Sequence, residues 1–231
     1  MSVNSNGYIY LGGNIRNIYY ILLLLSLSFG TVTDIDGNVY ETVQIGEQLW
    51  MAENLKTTHY NNGDEITYPN NEDFGSYDEG QYGVYDNDPS NADIYGNFYN
   101  WYTVDDDRGL CPEHWHVPSD DEWTILIDYL GGTSVAGGKM KSTGTIEDGD
   151  GLWYSPNEGA SNESGFSAFP AGYRGSGNGY YGSMGGYGSF WSSSEYGSDD
   201  AYVRNLYYGY SDVFRNFGNR HYGFSIRCVA D

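Results

Sequence analysis

Basic side chains are scarce in this sequence, which has 10 Lys and Arg residues against 32 Asp and Glu residues and a net charge of -22. Nucleic-acid binding depends on Lys and Arg that displace counterions from phosphates, so we expect no nucleic-acid partner. Docking on an anionic membrane surface needs the same side chains and is likewise not expected. The acidic excess suits a soluble exported protein, and it also suits carboxylates that bind a hard cation such as calcium.

Cysteine is nearly absent, since the chain contains only Cys111 and Cys228 and no CxxC pair. Two cysteines build no structural zinc site unless histidine joins them. We interpret the pair as one disulfide that closes most of the domain into a loop. In the chain-entropy model such a loop contributes about 4–5 kcal/mol, an upper figure because strain offsets part of it.

The common catalytic motifs are also missing, because no GxSxG, HExxH or P-loop pattern occurs. His114 and His116 would share one face of an extended segment and could hold a metal, but the spacing supplies no third ligand. Acidic pairs for glycoside hydrolysis stand in no distinctive context. We therefore predict a non-enzymatic protein with no catalytic residues and no cofactor. A hydrolase of unknown type is the least favoured alternative.

Long apolar runs are limited to one segment, Ile18 to Phe29. It has about the length of a signal-peptide core and is short for a bilayer span. We predict a signal peptide over residues 1–30 and an extracellular or cell-surface location, with a retained anchor or a strand at a subunit contact as alternatives. Residues 31–231 contain no low-complexity linker and no fixed-period repeat, which indicates one domain.

One helix is clearly marked in the middle of the chain. Ser119 is suited to cap its N-terminus, and Glu122 completes a capping box. Apolar residues then recur at helical spacing, namely Trp123, Leu126, Ile127 and Leu130. Gly131 and Gly132 are expected to end the helix.

Most of the remaining chain has strand patterns and turn signals. We predict an early hairpin of Val39 to Ile45 and Gln48 to Ala52, and later strands over Ser189 to Glu195, Ala201 to Tyr208, Asp212 to Phe217 and Gly223 to Val229. In the last strand, Phe224, Ile226 and Cys228 share one face, and Ser225 and Arg227 share the other. Ala92 to Val104 is a further helix candidate that Gly96 weakens. These elements predict an α+β fold with antiparallel sheets, one or two helices and long loops.

Two acidic turns contain alternating oxygen ligands of the kind that calcium binds. The candidate ligands are Asp86 and Asp88 in the first turn and Asp148 and Asp150 in the second. The first turn lacks the Gly and Glu that an EF-hand loop requires at its sixth and twelfth positions. Polar turns without a metal are the favoured interpretation.

Four stretches resemble the Fibrobacter succinogenes major paralogous domain family across about residues 30–231. They are TVTDIDGNVYETVQIGEQLWMAENL; YGNFYNWYTV leading into CPEHWHVPSDDEW; NEGASNESGFSAFPAGYR; and GSFWSSSE, AYVRNLYY and YGFSIRCV. The resemblance implies export, often as a surface lipoprotein, and a C-type lectin-like fold similar to that of formylglycine-generating enzymes. No cysteine follows the apolar run, so a lipid anchor is not indicated. The family has cysteines like Cys111 and Cys228 in structural positions, which leaves none for formylglycine-type oxidation.

Glycine (33 residues) and tyrosine (25 residues) are both abundant. Tyrosine supplies contact area at low entropic cost, as it does in binding loops, although packing in a β-rich body explains it equally well. We predict an exported surface module that binds an extracellular glycan or protein. The candidate ligand-binding residues are Asn178, Tyr180, Tyr181, Tyr207, Tyr208, Tyr210, Asp212, Arg215 and Asn219, whereas Trp191 is expected in the core.

Two alternative roles are compatible with the same composition. The tyrosine-rich surface could mediate self-association in a structural subunit of a surface layer or filament. The region from Asn178 to Tyr222 also has the composition expected of a receptor-binding protein varied by a diversity-generating retroelement, because randomised Asn codons yield Tyr, Asn, Ser, Asp, Gly and Phe.

Overall fold

The computed structural model describes residues 30–69, 73–177 and 179–231 as an α+β fold with mostly antiparallel sheets. In chain order the strands are β1 Gly30–Thr33, β2 Val39–Ile45, β3 Gln48–Met51, β4 Tyr82–Gly83, β5 Phe98–Tyr99, β6 Trp115–His116, β7 Tyr173–Arg174, β8 Tyr181–Gly182, β9 Tyr187–Tyr196, β10 Asp200–Tyr207, β11 Val213–Asn219 and β12 Val229–Ala230. The helices are α1 Pro89–Tyr95, α2 Trp101–Val104, α3 Asp120–Tyr129 and α4 Thr133–Met140.

The strands assemble into two larger sheets and two short ribbons. The first sheet has the order β1-β2-β3-β12-β6, so it joins the start of the described chain to its end. The second has the order β11-β10-β9, and β4-β5 and β7-β8 form the ribbons. The predicted hairpin is confirmed as β2 and β3, which reverse at Gly46 with a positive φ of 62°.

Helix α3 is confirmed together with its predicted cap. The Ser119 backbone N–H donates to Glu122 Oε2 (2.8 Å), and the Glu122 backbone N–H donates to Ser119 Oγ (3.2 Å). The predicted apolar face is buried, with Trp123 packed 4.9 Å from Trp50 of β3 and 5.8 Å from Phe190 of β9. Each large side chain buried in this way contributes about 1.5–3 kcal/mol, so α3 holds the two larger sheets together.

The helix expected over Ala92 to Val104 is wrong as one element. Helix α1 ends at Gly96, whose φ of 73° favours glycine, and a Cβ there would lie 2.8 Å from the Leu55 carbonyl oxygen. Strand β5 follows, and α2 then starts from Asn100, whose side chain accepts from the Thr103 backbone N–H. The close approach of another backbone segment breaks the helix.

The predicted disulfide is confirmed between Cys111 and Cys228, whose Cα atoms are 6.0 Å apart. It ties the segment before β6 to the segment before β12. Of the strand predicted over Gly223 to Val229, only the last residue lies in β12, because residues 223–225 pair through isolated bridges.

Both faces of this last segment are buried. Arg227 is fully buried; its guanidinium donates to Asn54 Oδ1 (2.6 Å) and to the Ser167 carbonyl (2.7 Å), and it lies 4.5 Å above the Phe166 ring. Burial lowers the Arg227 pKa to about 9. Alternate side chains of this last segment therefore point into two different buried environments.

Among the described residues, none of the helices has the length and apolar character needed to cross a bilayer. The apolar run of residues 18–29 lies outside the described residues, as does almost all of the predicted signal peptide.

Candidate functional site

One face of the second sheet carries a continuous group of aromatic side chains. Tyr187 of β9 and Tyr207 of β10 are cross-strand partners with ring centroids 4.5 Å apart. Phe214 of β11 lies 4.9 Å from Tyr207, and Tyr210 of the β10–β11 turn lies 5.7 Å from Phe214. These rings meet edge to face, which is a favourable arrangement for pairs of aromatic side chains. We call this surface the tyrosine face and define it as Tyr173, Tyr180, Tyr187, Asn205, Tyr207, Tyr210, Phe214 and Asn216.

Amide side chains fix the polar groups of the tyrosine face. Asn216 Nδ2 donates to Asn205 Oδ1 (2.8 Å), and Asn205 Nδ2 donates to Ser189 Oγ (2.8 Å). Burial and the nearby Tyr187 raise the pKa of Tyr207, and a hydrogen bond with Asn216 opposes them in part. The Tyr207 hydroxyl therefore stays protonated at neutral pH. The chain of hydrogen bonds orients the amides before any ligand arrives.

The β7–β8 ribbon extends the face through Tyr173 and Tyr180. Their rings meet edge to face at 5.8 Å, and their hydroxyls are 3.4 Å apart. The hydrogen bond to Tyr180, followed by burial, raises the pKa of Tyr173 to about 12, and Tyr187 adds to this shift. Gly175 lies beneath the Tyr180 ring, where a Cβ would come within 2.3 Å of the ring and displace it. Glycine thus leaves room for tyrosine to lie on the ribbon.

A buried lysine supports the turn that carries the tyrosine face. Lys141 follows α4 and is fully buried. Its ammonium donates to the carbonyls of Glu158 (2.9 Å), Tyr207 (3.1 Å) and Tyr210 (2.9 Å). Burial lowers the pKa of Lys141 to about 8. The three acceptors match the three N–H bonds of the ammonium and hold the β10–β11 turn in place.

Glycines in α4 let this turn approach the helix. A Cβ on Gly137 would lie 2.3 Å from the Asp212 carbonyl oxygen, so that position requires glycine. The Gly138 backbone N–H donates to the Ser211 carbonyl (3.0 Å). Gly137, Gly138 and Lys141 therefore anchor the turn together, a role that the composition of this stretch did not reveal.

Three of the predicted ligand-binding residues meet on the tyrosine face, namely Tyr180, Tyr207 and Tyr210. Tyr210 is 57% exposed and Tyr180 is 46% exposed. Tyr181 points elsewhere, because its hydroxyl donates to Asn87 Oδ1 (2.8 Å) beside α1.

Other predicted residues lie apart from the face. The Tyr208 ring packs 6.0 Å from Tyr154, as expected when neighbouring strand residues point to opposite sides. Asp212 lies in the turn that packs on Gly137. Asn219 Nδ2 donates to a backbone carbonyl of the β9–β10 turn (3.1 Å).

Arg215 belongs to the opposite face of the sheet, where it forms an ion pair. Asp120 at the start of α3 accepts from Arg215 Nε (3.0 Å) and from the buried Arg204 (2.7 Å). Burial opposes the charge of Asp120, but the two arginines outweigh it and lower the Asp120 pKa. Arg215 therefore has a structural partner. Asn178 lies outside the described residues.

Sequence reasoning missed five members of the face, namely Tyr173, Tyr187, Asn205, Phe214 and Asn216. The available signal was strand alternation, because Asn205 and Tyr207 share a face, as do Phe214 and Asn216. The prediction for Trp191 is confirmed, since this residue is fully buried.

The calcium candidates accept hydrogen bonds within their own turns. Asp88 Oδ1 accepts from the Ser90 backbone N–H (3.0 Å) and caps α1. Asp148 and Asp150 both accept from Thr145, at 2.8 Å and 2.9 Å. Asp86 lies beside α1 with a positive φ of 52°. The part of the chain that the structure describes contains no group of three His, Cys, Asp or Glu residues arranged to hold a metal ion.

His114 and His116 have different surroundings and different partners. His116 contacts Asp231 through Nδ1 (2.7 Å) and Glu122 through Nε2 (2.8 Å). Burial opposes the charged form of His116, but these two carboxylates outweigh it and raise the His116 pKa. His114 is largely exposed next to Glu113. Both nitrogens of His116 thus serve the junction of α3 with the last strand.

The family model of the Fibrobacter succinogenes major domain matches residues 43–230. The match covers most of the chain and agrees with the four stretches identified in the sequence. This chain belongs to the Fibrobacter succinogenes major domain family. Neither the search of curated proteins nor the search of solved structures found a match.

Proposed function

From family membership and the tyrosine face together, we propose that this chain is a non-enzymatic, exported cell-surface module that recognises an extracellular protein. The continuous group of exposed tyrosines with prealigned amides carries the proposal. Tyr210 is 57% exposed and Tyr187 is 37% exposed, so both offer accessible rings. Tyr and Asn also dominate antibody binding loops, where rigid aromatic anchors combine with adaptable polar groups.

The shape of the face favours a protein over a glycan. Its rings pack edge to face across three strands, and a further edge-to-face pair lies in the ribbon. The grooves beside Tyr68 and beside Phe169 are lined by other residues. Small ligands prefer concave sites, whereas a broad aromatic surface with hydrogen-bonding amides suits a protein interface. A glycan ligand is the alternative that the experiment distinguishes.

The proposal includes three further features, of which the family resemblance implies the fold and the export. They are a C-type lectin-like arrangement of the α+β fold, export through an N-terminal signal, and binding without a cofactor. The lectin-like arrangement is supported by a sheet that joins both ends of the described chain and by the disulfide next to it. Export is supported by the disulfide, because such bonds persist in oxidising compartments.

The test is a screen of the purified full chain on arrays of extracellular proteins and glycans, followed by affinity measurements. Tyr210→Ser and Phe214→Ser are expected to weaken protein binding by at least about tenfold, as for interface anchors. Tyr129→Ser is the matched control, because Tyr129 is 64% exposed on α3 and lies outside the face. Equal affinities for all variants would contradict the proposal. A face-dependent signal from glycans alone would replace the protein ligand with a glycan.

Self-association is the second candidate, and the opposite face of the sheet favours it. Tyr196 and Phe217 are stacked with centroids 4.4 Å apart and an interplanar angle of 14°. They are 43% and 56% exposed, so a flat aromatic pair faces solvent. Size-exclusion chromatography at two concentrations tests this role. A concentration-dependent oligomer that Phe217→Ser abolishes would support a structural subunit, and a monomer at both concentrations would exclude it.

The position of the face in the chain suits the proposed retroelement variation. All of its members except Tyr173 lie between positions 178 and 222, where variation was expected. Sequencing this locus in its source population tests the idea. Substitutions concentrated at Tyr187, Tyr210 and Phe214, with Lys141 unchanged, would support it. A uniform locus would contradict it while leaving ligand recognition intact.

A further inference from the structure

A second candidate site is a groove of about 570 Å³ that lies next to β4. We call it the histidine groove, and its lining includes Thr58, His59, Glu65, Thr67, Tyr68 and Tyr82. A neighbouring groove of about 370 Å³ shares Thr58, Tyr68 and Tyr82 with it. Each groove has the size that small-molecule ligands occupy.

Asp36 fixes the orientation of His59 in this groove. His59 Nδ1 lies 2.5 Å from Asp36 Oδ1. The other carboxylate oxygen accepts from the Thr58 backbone N–H (2.5 Å) and from the Thr57 hydroxyl (3.1 Å). Burial raises the pKa of Asp36, but these hydrogen bonds outweigh burial and lower the pKa overall. The Asp36 carboxylate is therefore charged at neutral pH, and it holds His59 in the form that donates through Nδ1–H.

The second ring nitrogen of His59, Nε2, is open to a ligand. Among the hydrogen bonds of residues 30–69, 73–177 and 179–231, none involves His59 Nε2, and the side chain is 34% exposed. Glu65 is the direct cross-strand partner of His59, which places the two side chains on one face within about 5.5 Å at Cβ. A hydroxyl-rich ligand can donate to both groups.

Two tyrosines line the same groove as these polar groups. Tyr68 and Tyr82 have ring centroids 4.9 Å apart, and Tyr68 is 45% exposed. The Tyr68 hydroxyl donates to Asn87 Oδ1 (3.1 Å), which also accepts from Tyr181 (2.8 Å). The ring is therefore held before binding, which reduces the entropic cost of stacking a ligand on it.

We propose that the histidine groove binds a neutral saccharide. A sugar ring would stack on Tyr68 while its hydroxyls contact His59 Nε2 and the Glu65 carboxylate. The carboxylate, on a chain of net charge -22, disfavours uronic and other acidic sugars. A metal centre is a poorer fit, because His59 and Glu65 provide only two side-chain ligands where a stable site uses three or four. This site uses none of the residues of the tyrosine face.

The experiment is calorimetric titration of the full chain with neutral tetrasaccharides built from glucose, mannose or xylose, and with an oligogalacturonate as the acidic probe. At least one neutral probe is expected to bind. His59→Ala and Tyr68→Ala are each expected to weaken that binding about tenfold, as the loss of one hydrogen bond or stacking contact does. Tyr210→Ser, which alters the tyrosine face, is expected to leave the affinity unchanged.

A measurement without substitutions keeps the test independent of folding defects. The side-chain NMR signals of His59 and Tyr68 in the unmodified chain are expected to shift on adding the bound tetrasaccharide, with those of Tyr210 unmoved. Absence of binding by every neutral probe, preference for the oligogalacturonate, or unchanged affinity in both groove variants would overturn the proposal. Loss of protein binding in Tyr210→Ser with sugar binding retained would separate this site from the proposed function.

Discussion

Replacing Lys141 with methionine tests how the tyrosine face is supported. Methionine keeps the apolar stem but removes the ammonium that donates to Glu158, Tyr207 and Tyr210. Hydrogen bonds to a charged group contribute about 1.5–3 kcal/mol each, which sums to about 5–9 kcal/mol. Burial of the ammonium opposes this, because a pKa lowered from 10.5 to about 8 corresponds to about 3 kcal/mol. The net expected loss of unfolding free energy is therefore about 2–6 kcal/mol, and about 3 kcal/mol is taken as a conservative value.

The assay is thermal unfolding of Lys141→Met beside a matched variant, Lys139→Met. A loss of about 3 kcal/mol lowers the melting temperature by about 6–12 °C in a domain of this size. Lys139 is two residues away, and its half-exposed ion pair with Glu163 (2.8 Å) is worth at most about 1 kcal/mol. Equal melting temperatures for the two variants would refute the assigned role of Lys141.

The pH dependence of Lys141→Met gives a second readout. The folded pKa is lower than the unfolded value of 10.5, so the cost of burying the charge is fully present below pH 8. That cost is relieved as the pH rises from about 8 to 10.5. The unmodified chain should therefore gain stability relative to Lys141→Met over this range. A constant difference would contradict the lowered pKa.

Four further predictions concern stability. Reduction of Cys111–Cys228, which closes a 117-residue separation, should cost up to about 4–5 kcal/mol and lower the melting temperature by up to about 8–20 °C in calorimetry; an unchanged midpoint would oppose this. Asp120→Asn should cost about 3 kcal/mol at pH 7 by leaving buried arginine uncompensated, with Asp121→Asn as the neutral control. Because the Asp120 pKa is lowered, the difference in stability between the unmodified chain and Asp120→Asn should vanish as the pH falls below 3.8. The stability contributed by His116 should be complete below pH 6.5 and decline as the pH rises through its raised pKa, and His116→Gln should remove that decline in pH-dependent melting. EDTA should shift the melting temperature by less than about 2 °C, because three of the four candidate aspartates already accept hydrogen bonds in their own turns; a large loss would show a bound metal.

Local chemistry made some elements predictable. The cap of α3 depends on Ser119 and Glu122, which are three residues apart, and its apolar face follows from spacing alone. The β2–β3 hairpin is likewise specified by its strand pattern and by Gly46. Each signal lies within a few residues of the element that it specifies.

Long-range contacts account for most of the differences. Gly96 ends α1 because the backbone near Leu55 approaches it closely, and nothing near Gly96 in the sequence encodes that neighbour. The acceptors of Lys141 are 17 to 69 positions away along the chain. Such partners come together only when the sheets pack, so residue spacing alone does not reveal them.

Sequence analysis could predict which residue types form the candidate site, but not which individual residues belong to it. The abundance of tyrosine indicated a contact surface, and Tyr207 and Tyr210 belong to it. Tyr208 was grouped with them, but it lies just after β10 and its ring packs against Tyr154. Pairing register decides which tyrosines meet, because a shift of one residue reverses every side chain in a strand.

Hydroxyl-radical footprinting of the full chain, free and bound to a protein ligand found in the screen, tests whether recognition occurs through the tyrosine face. We expect Tyr187, Tyr210 and Phe214 to be protected in the complex while exposed Tyr129 reacts as before. Protection of the Tyr196 and Phe217 rings instead, with the tyrosine face still reactive, would contradict recognition through this face.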